Sequence, residues 1–376
     1  MSITQVANLA GVSAATVSRV INQSTSVTPD IVRAVQNAIE KIGYQPRVRR
    51  RRIGSAAARP IARREVRSGN VALLTTGFSP RELYRMPVFP AVLHGVERSL
   101  AEQGLNLIFC NHDAADQRRD AQLPAALLGE QADGVLLWGK CDAIPDPVRR
   151  RLRELPVVWI VREHSDPDCE FDHVFYDNEA VGALAARYLV RNGHSSLAFV
   201  NVDPTHSAFA PRESSFARTA AALGAKARVF AAQSRRGTSS DYVLCQDLVE
   251  QLVRSECGAT GLFVPADAQL PAMYHALENH GLRPGRDVQV ISCDNEQQFL
   301  SRVVPRPATI DINLELVGRR GVQQLLWRLR HPHERNRITT LIEPIIIDPS
   351  GNGRDDESSV IGGIVDRGDA IDGKDV

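Results

Sequence analysis

Long apolar runs are missing from this 376-residue chain: the stretches from Leu155 to Val161 and from Glu343 to Ile347 fall far short of the roughly 20 apolar residues that a membrane-crossing helix needs. The opening residues Ser2, Ile3 and Thr4 show no basic segment leading into an apolar one, so neither a membrane span nor export is expected, and the cytoplasm is the expected compartment. Cysteine is sparse as well. The six cysteines (Cys110, Cys141, Cys169, Cys245, Cys257 and Cys293) never pair as CxxC, which argues against a zinc site or a disulfide framework and leaves reduced thiols. Also absent are the G-x-S-x-G elbow, the P-loop, the H-E-x-x-H helix and the dinucleotide fingerprint. No motif therefore stands behind an enzyme, and no cofactor or metal is expected.

What is present is enough apolar content, 43%, to fill two or three cores, and a formal net charge of +1 that conceals an asymmetry. Residues 1–68 carry 12 basic and 3 acidic side chains, a net +9. Residues 69–350 and the tail from 351 onward each come to −4. A basic end beside a mildly acidic body points to a polyanion met at that end only, and nucleic acid is the natural candidate.

The first 46 residues read as three short helices. Thr4 is placed to cap the first, whose Val6, Leu9 and Ala10 share one face, and Gly11 ends it. Ser13 is placed to cap the second, with Val17, Val20 and Ile21 turned toward the same core. Thr28, Pro29 and Asp30 announce a third helix, with Ile31, Val32, Val35, Ala38, Ile39 and Ile42 inward and Gly43 closing it. A glycine turn between the first two helices describes a helix-turn-helix, whose second helix enters the major groove. Ala15, Arg19 and Asn22 follow i, i+4, i+7 spacing on the face opposite Val17 and Val20. An arginine there either reads guanine O6 and N7 or is a solvated helix residue.

Ile3-Thr4-Gln5-Val6-Ala7, Ala10-Gly11-Val12-Ser13, Thr16-Val17-Ser18-Arg19-Val20 with Asn22, and Gly43-Tyr44-Gln45-Pro46 together resemble the DNA-binding domain of the LacI/GalR family. The resemblance implies that Ala14, Ala15 and Arg19 read bases, and that Thr4, Ser13, Thr16, Ser18 and Asn22 hold the DNA backbone. It also implies a hinge after Pro46. There the run Arg47-Val48-Arg49-Arg50-Arg51-Arg52-Ile53 is dense enough to neutralise several phosphates. Arg51 matches the family's hinge arginine, and Ile53 falls where a leucine wedges between base steps in the minor groove. Arg50 departs from the family pattern by replacing a small alanine. From Gly54 to Gly69 the chain is Ala-, Arg- and Gly-rich without apolar periodicity, a longer linker than the family shows.

From Asn70 onward, short apolar runs alternate with amphipathic helices, the mark of parallel sheets with helical crossovers. Strands are predicted at Val71–Thr75, Leu105–Cys110, Val135–Trp138 and Val157–Val161 in a first lobe. A second lobe is predicted from Leu197–Val200, Arg228–Ala231, Gly261–Val264 and Val288–Ser292, with helices near Arg212–Leu223, Asp241–Ser255 and Gln269–His280. The order of Ala132-Asp133-Gly134-Val135, Tyr176-Asp177-Asn178, Asn192-Gly193-His194, Arg212 before Phe216, Asp267, Cys293-Asp294-Asn295 and Ala308-Thr309-Ile310-Asp311 resembles the same family's effector domain, which is periplasmic-binding-protein-like, type I.

Ligands of such sheets bind beyond the carboxyl ends of the strands. Arg212 and Asp294 match effector-contacting positions and suit hydroxyls or a carboxylate, the alternative being an inter-lobe or capping role. Asp267 is a third candidate. Phe78, Phe89, Trp138 and Arg162 flank strand ends, where aromatic faces either stack on a sugar or simply pack. Asp133 with Gly134, and Asp177 with Asn178, suit turns and lobe connections.

The expected architecture is thus α/β: an all-α helix-turn-helix head (1–46), a basic hinge and linker (47–69), a two-lobed effector and dimerisation domain with parallel sheets (70–349), and a Gly-, Asp- and Ser-rich tail expected to be disordered (350–376). The resemblance implies a transcriptional regulator, commonly a repressor. Its partners are double-stranded operator DNA, a sugar-like effector and a second copy of itself, with no membrane. The alternatives are a regulator deaf to ligand and a solute-binding protein.

Overall fold

The computed structural model describes residues 3–21, 29–42, 68–112, 124, 127, 131–139, 144–161, 171–232 and 241–349. The hinge, the tail, Asn22, Arg51, Ile53 and Arg162 lie outside the described residues. The chain divides into two compact units, Met1–Arg59 and Pro60–Val376.

In the first unit, helices α1 (Ile3–Ala10), α2 (Ala14–Ile21) and α3 (Pro29–Ile42) enclose a small core of Val6, Ala7, Val17, Val35 and Ala38. Gly11 adopts φ +66° between α1 and α2, a conformation open to glycine at no steric cost, and Val12 N–H closes the turn on the Ala7 carbonyl at 3.0 Å. Ser13 caps α2 as its sequence position suggests, its Oγ accepting from Thr16 N–H at 3.1 Å. Pro29 opens α3, where its missing N–H costs nothing. One expectation is corrected. Helix α1 begins at Ile3, so Thr4 lies inside its first turn, whereas a cap needs a backbone still outside the helix.

The second unit holds two α/β lobes. The first is built from β1 (Asn70–Thr76), α4 (Pro80–Arg85), α5 (Val88–Glu102), β2 (Asn106–His112), β3 (Gly134–Gly139), α6 (Asp146–Leu152), β4 (Val157–Val161) and β5 (Asp172–Tyr176). The chain then crosses into the second lobe with α7 (Asn178–Arg191), β6 (Ser196–Asn201), α8 (Phe209–Ala222), β7 (Lys226–Ala231), α9 (Asp241–Arg254) and β8 (Gly261–Phe263). A single 3-10 turn at Asp267–Gln269 leads into α10 (Leu270–Asn279), β9 (Gln289–Cys293), α11 (Gln297–Leu300) and β10 (Ala308–Asp311). Helix α12 (Leu314–Arg330) and β11 (Thr339–Ile342) return to the first lobe, and β12 (Ile345–Ile347) pairs in the second.

The strand orders are β11-β5-β4-β3-β1-β2 and β12-β10-β9-β8-β6-β7, parallel throughout except that β12 runs antiparallel to β10. Strands β3 and β4 are buried along their whole length, which is why their sequences are continuous apolar runs and not alternating ones. One apolar cluster, including Val96, Leu136 and Val158 of the first lobe and Val181, Phe199 and Ile310 of the second, runs through both. No helix among the described residues is long and apolar enough to cross a membrane.

Glycines set two close helix crossings. A Cβ on Gly95 of α5 would strike the Glu315 carbonyl of α12, and one on Gly182 of α7 would strike the carbonyl of Arg212 in α8. The second approach fixes where Arg212 stands. The predicted strands are present with shifted ends: β2 runs two residues beyond Cys110 to His112, and β7 starts at Lys226. Helices α7 and α12 and strands β5, β11 and β12 were not anticipated. Asp177 serves α7 as its N-cap, accepting from Ala180 N–H at 2.8 Å.

Candidate functional site

In the head, Ala14, Ala15, Thr16, Ser18 and Arg19 all fall on α2, directly behind the Ser13 cap. Thr4, Ser13 and Ala14 are exposed, and Thr16 is half-buried with its hydroxyl 2.9 Å from that of Ser13. The helix therefore keeps Val17 for the core and leaves its amino-terminal end accessible.

In the body, a cleft of about 710 Å³ opens where the carboxyl ends of both sheets meet, the position parallel sheets reserve for ligands. The first lobe supplies an apolar wall. Phe78 follows β1, Trp138 sits near the end of β3, Val161 and Tyr176 end β4 and β5, and Met86 and Val88 come from the α4–α5 junction. The second lobe supplies a polar wall of Asp203, Thr205, His206, Arg212, Asp294 and Glu296, with Asn178 from the first turn of α7.

Arg212 is the centre of that wall. Only 1% of it is exposed, and its guanidinium donates to Asn178 Oδ1 at 2.9 Å, to the Pro265 carbonyl at 2.5 Å and to Asp294 Oδ1 at 3.5 Å. Its Cζ also lies 5.8 Å from the Tyr176 ring and 5.7 Å from that of Phe209, a favourable setting for a cation. Asp294 follows β9 with φ 106°, and Val161 ends β4 with φ 75°. Each is a non-glycine residue in a sparsely populated region, at a cost on the order of 1–3 kcal/mol, and both line the cleft.

Asp267 and Phe89 stand behind the walls. The Asp267 carboxylate is fully buried and accepts from the Ser292 hydroxyl, from Thr309 Oγ1 at 3.0 Å and from Glu296 N–H at 2.8 Å, tying the segments around β9 and β10 together. Burial and the nearby Asp294 charge push its pKa up to about 7, against the lowering effect of those three donors. Phe89 packs behind Trp138, ring centroids 5.5 Å apart, and so backs that ring without lining the cleft itself. Sequence reasoning overlooked Glu296, Phe209 and the Asp203–His206 segment, and read Asn178 as a turn residue. The signal available was positional: Tyr176-Asp177-Asn178 and Cys293-Asp294-Asn295 both mark strand ends that converge here.

Residues 2–47 match the family described as bacterial regulatory proteins, lacI family, and residues 186–347 match a periplasmic binding protein-like domain. The HTH-type transcriptional repressor PurR of Aliivibrio salmonicida is 27% identical over 348 residues, covering 90% of this chain and 95% of that protein. The ribose operon repressor of Escherichia coli is 27% identical over 351 residues, covering 90% and 96%. Among solved structures, a lac repressor dimer bound to operator and the anti-inducer ONPF aligns with TM-score 0.63 at 17% identity, over 93% of this chain and 98% of that one. The transcriptional regulator CelR in complex with cellobiose aligns with TM-score 0.60 at 23% identity, over 92% and 98%. The helix-turn-helix head matches the lacI family from its second residue, the two-lobed body has the same fold as these regulators, and the chain is a DNA-binding transcriptional regulator.

Proposed function

We propose that this regulator acts as a repressor whose affinity for operator DNA is set by a small polyhydroxylated metabolite bound between the lobes. The observation that carries this reading is the cleft itself: one wall of aromatic and aliphatic faces, the other of directed hydrogen-bonding groups, the usual division of a site for sugar-like molecules. The relative named as a ribose operon repressor and the cellobiose-bound neighbour support the same class of ligand. Arg212, Asp294 and Asn178 take the ligand's polar groups, and Phe78 and Trp138 its flat face.

A homodimer presents two heads to a near-palindromic operator, with Ala14, Ala15 and Arg19 toward the bases and Thr4, Ser13, Thr16, Ser18 and Asn22 toward the phosphates. Arg51 and Ile53 extend the contact into the minor groove. The ligand changes DNA affinity only to the extent that it binds two closures of the lobes unequally. Nothing in this cycle calls for turnover of the ligand.

The test is a thermal-shift screen of sugars, followed by operator titration with and without each compound that raises the melting temperature. A hit should change operator affinity at least about fivefold, the low end of allosteric coupling. A tight hit with no effect on DNA affinity would contradict the reading. Arg19→Ala should cost about 1–3 kcal/mol of discrimination between operator and random DNA. Equal losses on both DNAs would remove Arg19 from base reading.

A further inference from the structure

The polar wall of the cleft holds one carboxyl group that the fold does not use. Glu296 follows the end of β9, and its backbone is pinned by the hydrogen bond from its N–H to Asp267 at 2.8 Å. Its side chain, in contrast, has a buried Oε1 with no hydrogen-bond partner among the described residues. Such an orphaned atom is costly in a native protein, and where it lines a cavity a ligand is a natural partner for it.

The charges sharing this space are mostly negative. Asp294 comes from the same loop, Asp267 from the 3-10 turn behind it, Asp203 and His206 from the segment between β6 and α8, and Glu82 from α4 across the cleft. The cation among the described lining residues, Arg212, is paired with Asp294 and also donates to Asn178 and Pro265, so its charge is balanced while part of its five-donor fork stays open to a hydroxyl. An entering anion would meet carboxylates at short range, and the Arg212 guanidinium is already charge-paired with Asp294.

We propose that Glu296 contacts the effector directly through Oε1, and that the negative charges of Asp203 and Asp294 beside it select an uncharged polyhydroxyl ligand over its acid or phosphate counterpart. The inference rests on the effector reading given above. Burial, with the charges of Asp294 and Asp267, raises the Glu296 pKa to about 8, so at neutral pH the group keeps its proton and both donates to and accepts from a hydroxyl.

The experiment uses the full-length chain and calorimetric titration with ribose, glucose and cellobiose, then with other neutral mono- and disaccharides, each beside its aldonic acid and its sugar phosphate. Binding is expected among neutral members, at least about tenfold tighter than for either anionic counterpart. For the sugar that binds, Glu296→Ala should weaken affinity about tenfold, while Glu296→Gln, which keeps a donor and an acceptor, should stay within about threefold of wild type. An acid or phosphate that binds more tightly than its neutral parent overturns the selectivity and leaves the effector reading standing. Wild-type affinity in folded Glu296→Ala overturns the contact. Failure of every member to bind overturns the effector reading and this inference together.

Discussion

Each lobe of the body contains a largely buried arginine–aspartate pair, and the two are built differently. In the first lobe, Arg328 of α12 grips Asp172 of β5 as a fork, Nη2 to Oδ1 at 2.6 Å and Nε to Oδ2 at 2.9 Å. Gln324 at 2.8 Å and the Ile338 N–H at 2.9 Å complete the carboxylate, while Arg328 also donates to the carbonyls of Glu334 and Asn336. In the second lobe, Arg212 reaches Asp294 through one contact of 3.5 Å, and Asp294 sits in a strained backbone on the wall of a cavity. A saturated pair fixes a fold, here holding α12 to the segment that enters β11. A loosely made pair beside open space keeps hydrogen-bonding capacity for a ligand.

The same substitution in the two pairs should separate these roles. Asp172→Asn leaves the largely buried Arg328 charge against an amide and should cost about 3 kcal/mol of unfolding free energy, measured by denaturant titration of the full-length chain. Asp294→Asn, a residue that tolerates positive φ, should cost about 1 kcal/mol or less while abolishing the effect of the cleft ligand on operator affinity. Equal stability losses in the two variants would erase the contrast.

The smallest effect concerns pH. The Glu296 pKa is raised by burial to about 8, above its unfolded value, so the stability tied to its retained proton is full at low pH and lost as pH rises through the folded pKa. Glu296→Gln cannot titrate. Relative to wild type it should gain about 1 kcal/mol between pH 6 and pH 8.5, a figure discounted for the group's partial exposure. A wild-type to variant difference that stays flat over this window would show that Glu296 is not held protonated.

The same contrast explains which parts of the fold were legible in the sequence. The head was legible because its helices are short, its apolar residues keep 3.6 periodicity, and Gly11 and Pro29 punctuate them. Strands β1, β3, β4 and β6 were legible as apolar runs covered on both faces. Strand β5 was not, because the buried Asp172 and His173 break its apolar pattern, and the carboxylate is acceptable there through the Arg328 fork with Gln324 and the Ile338 N–H. Helices α7 and α12 escaped because Gly182 and Gly318 sit where helices touch backbone to backbone, and glycine carries no hydrophobic signal. In the site, Arg212 and Asp294 could be found from their motifs. Glu296 could not, since a loop carboxylate acquires meaning only once β9 and the 3-10 turn bring it against the cleft.

The most direct test begins with the purified full-length chain and a pool of random duplexes at low ionic strength, sequenced after successive rounds of capture. A head of the lacI type acting as a symmetric pair should enrich one near-palindromic sequence, with half-sites about one helical turn apart, and the enrichment should be lost in Arg19→Ala. A pool that emerges with no sequence enriched would contradict the identification of this chain as a DNA-reading regulator.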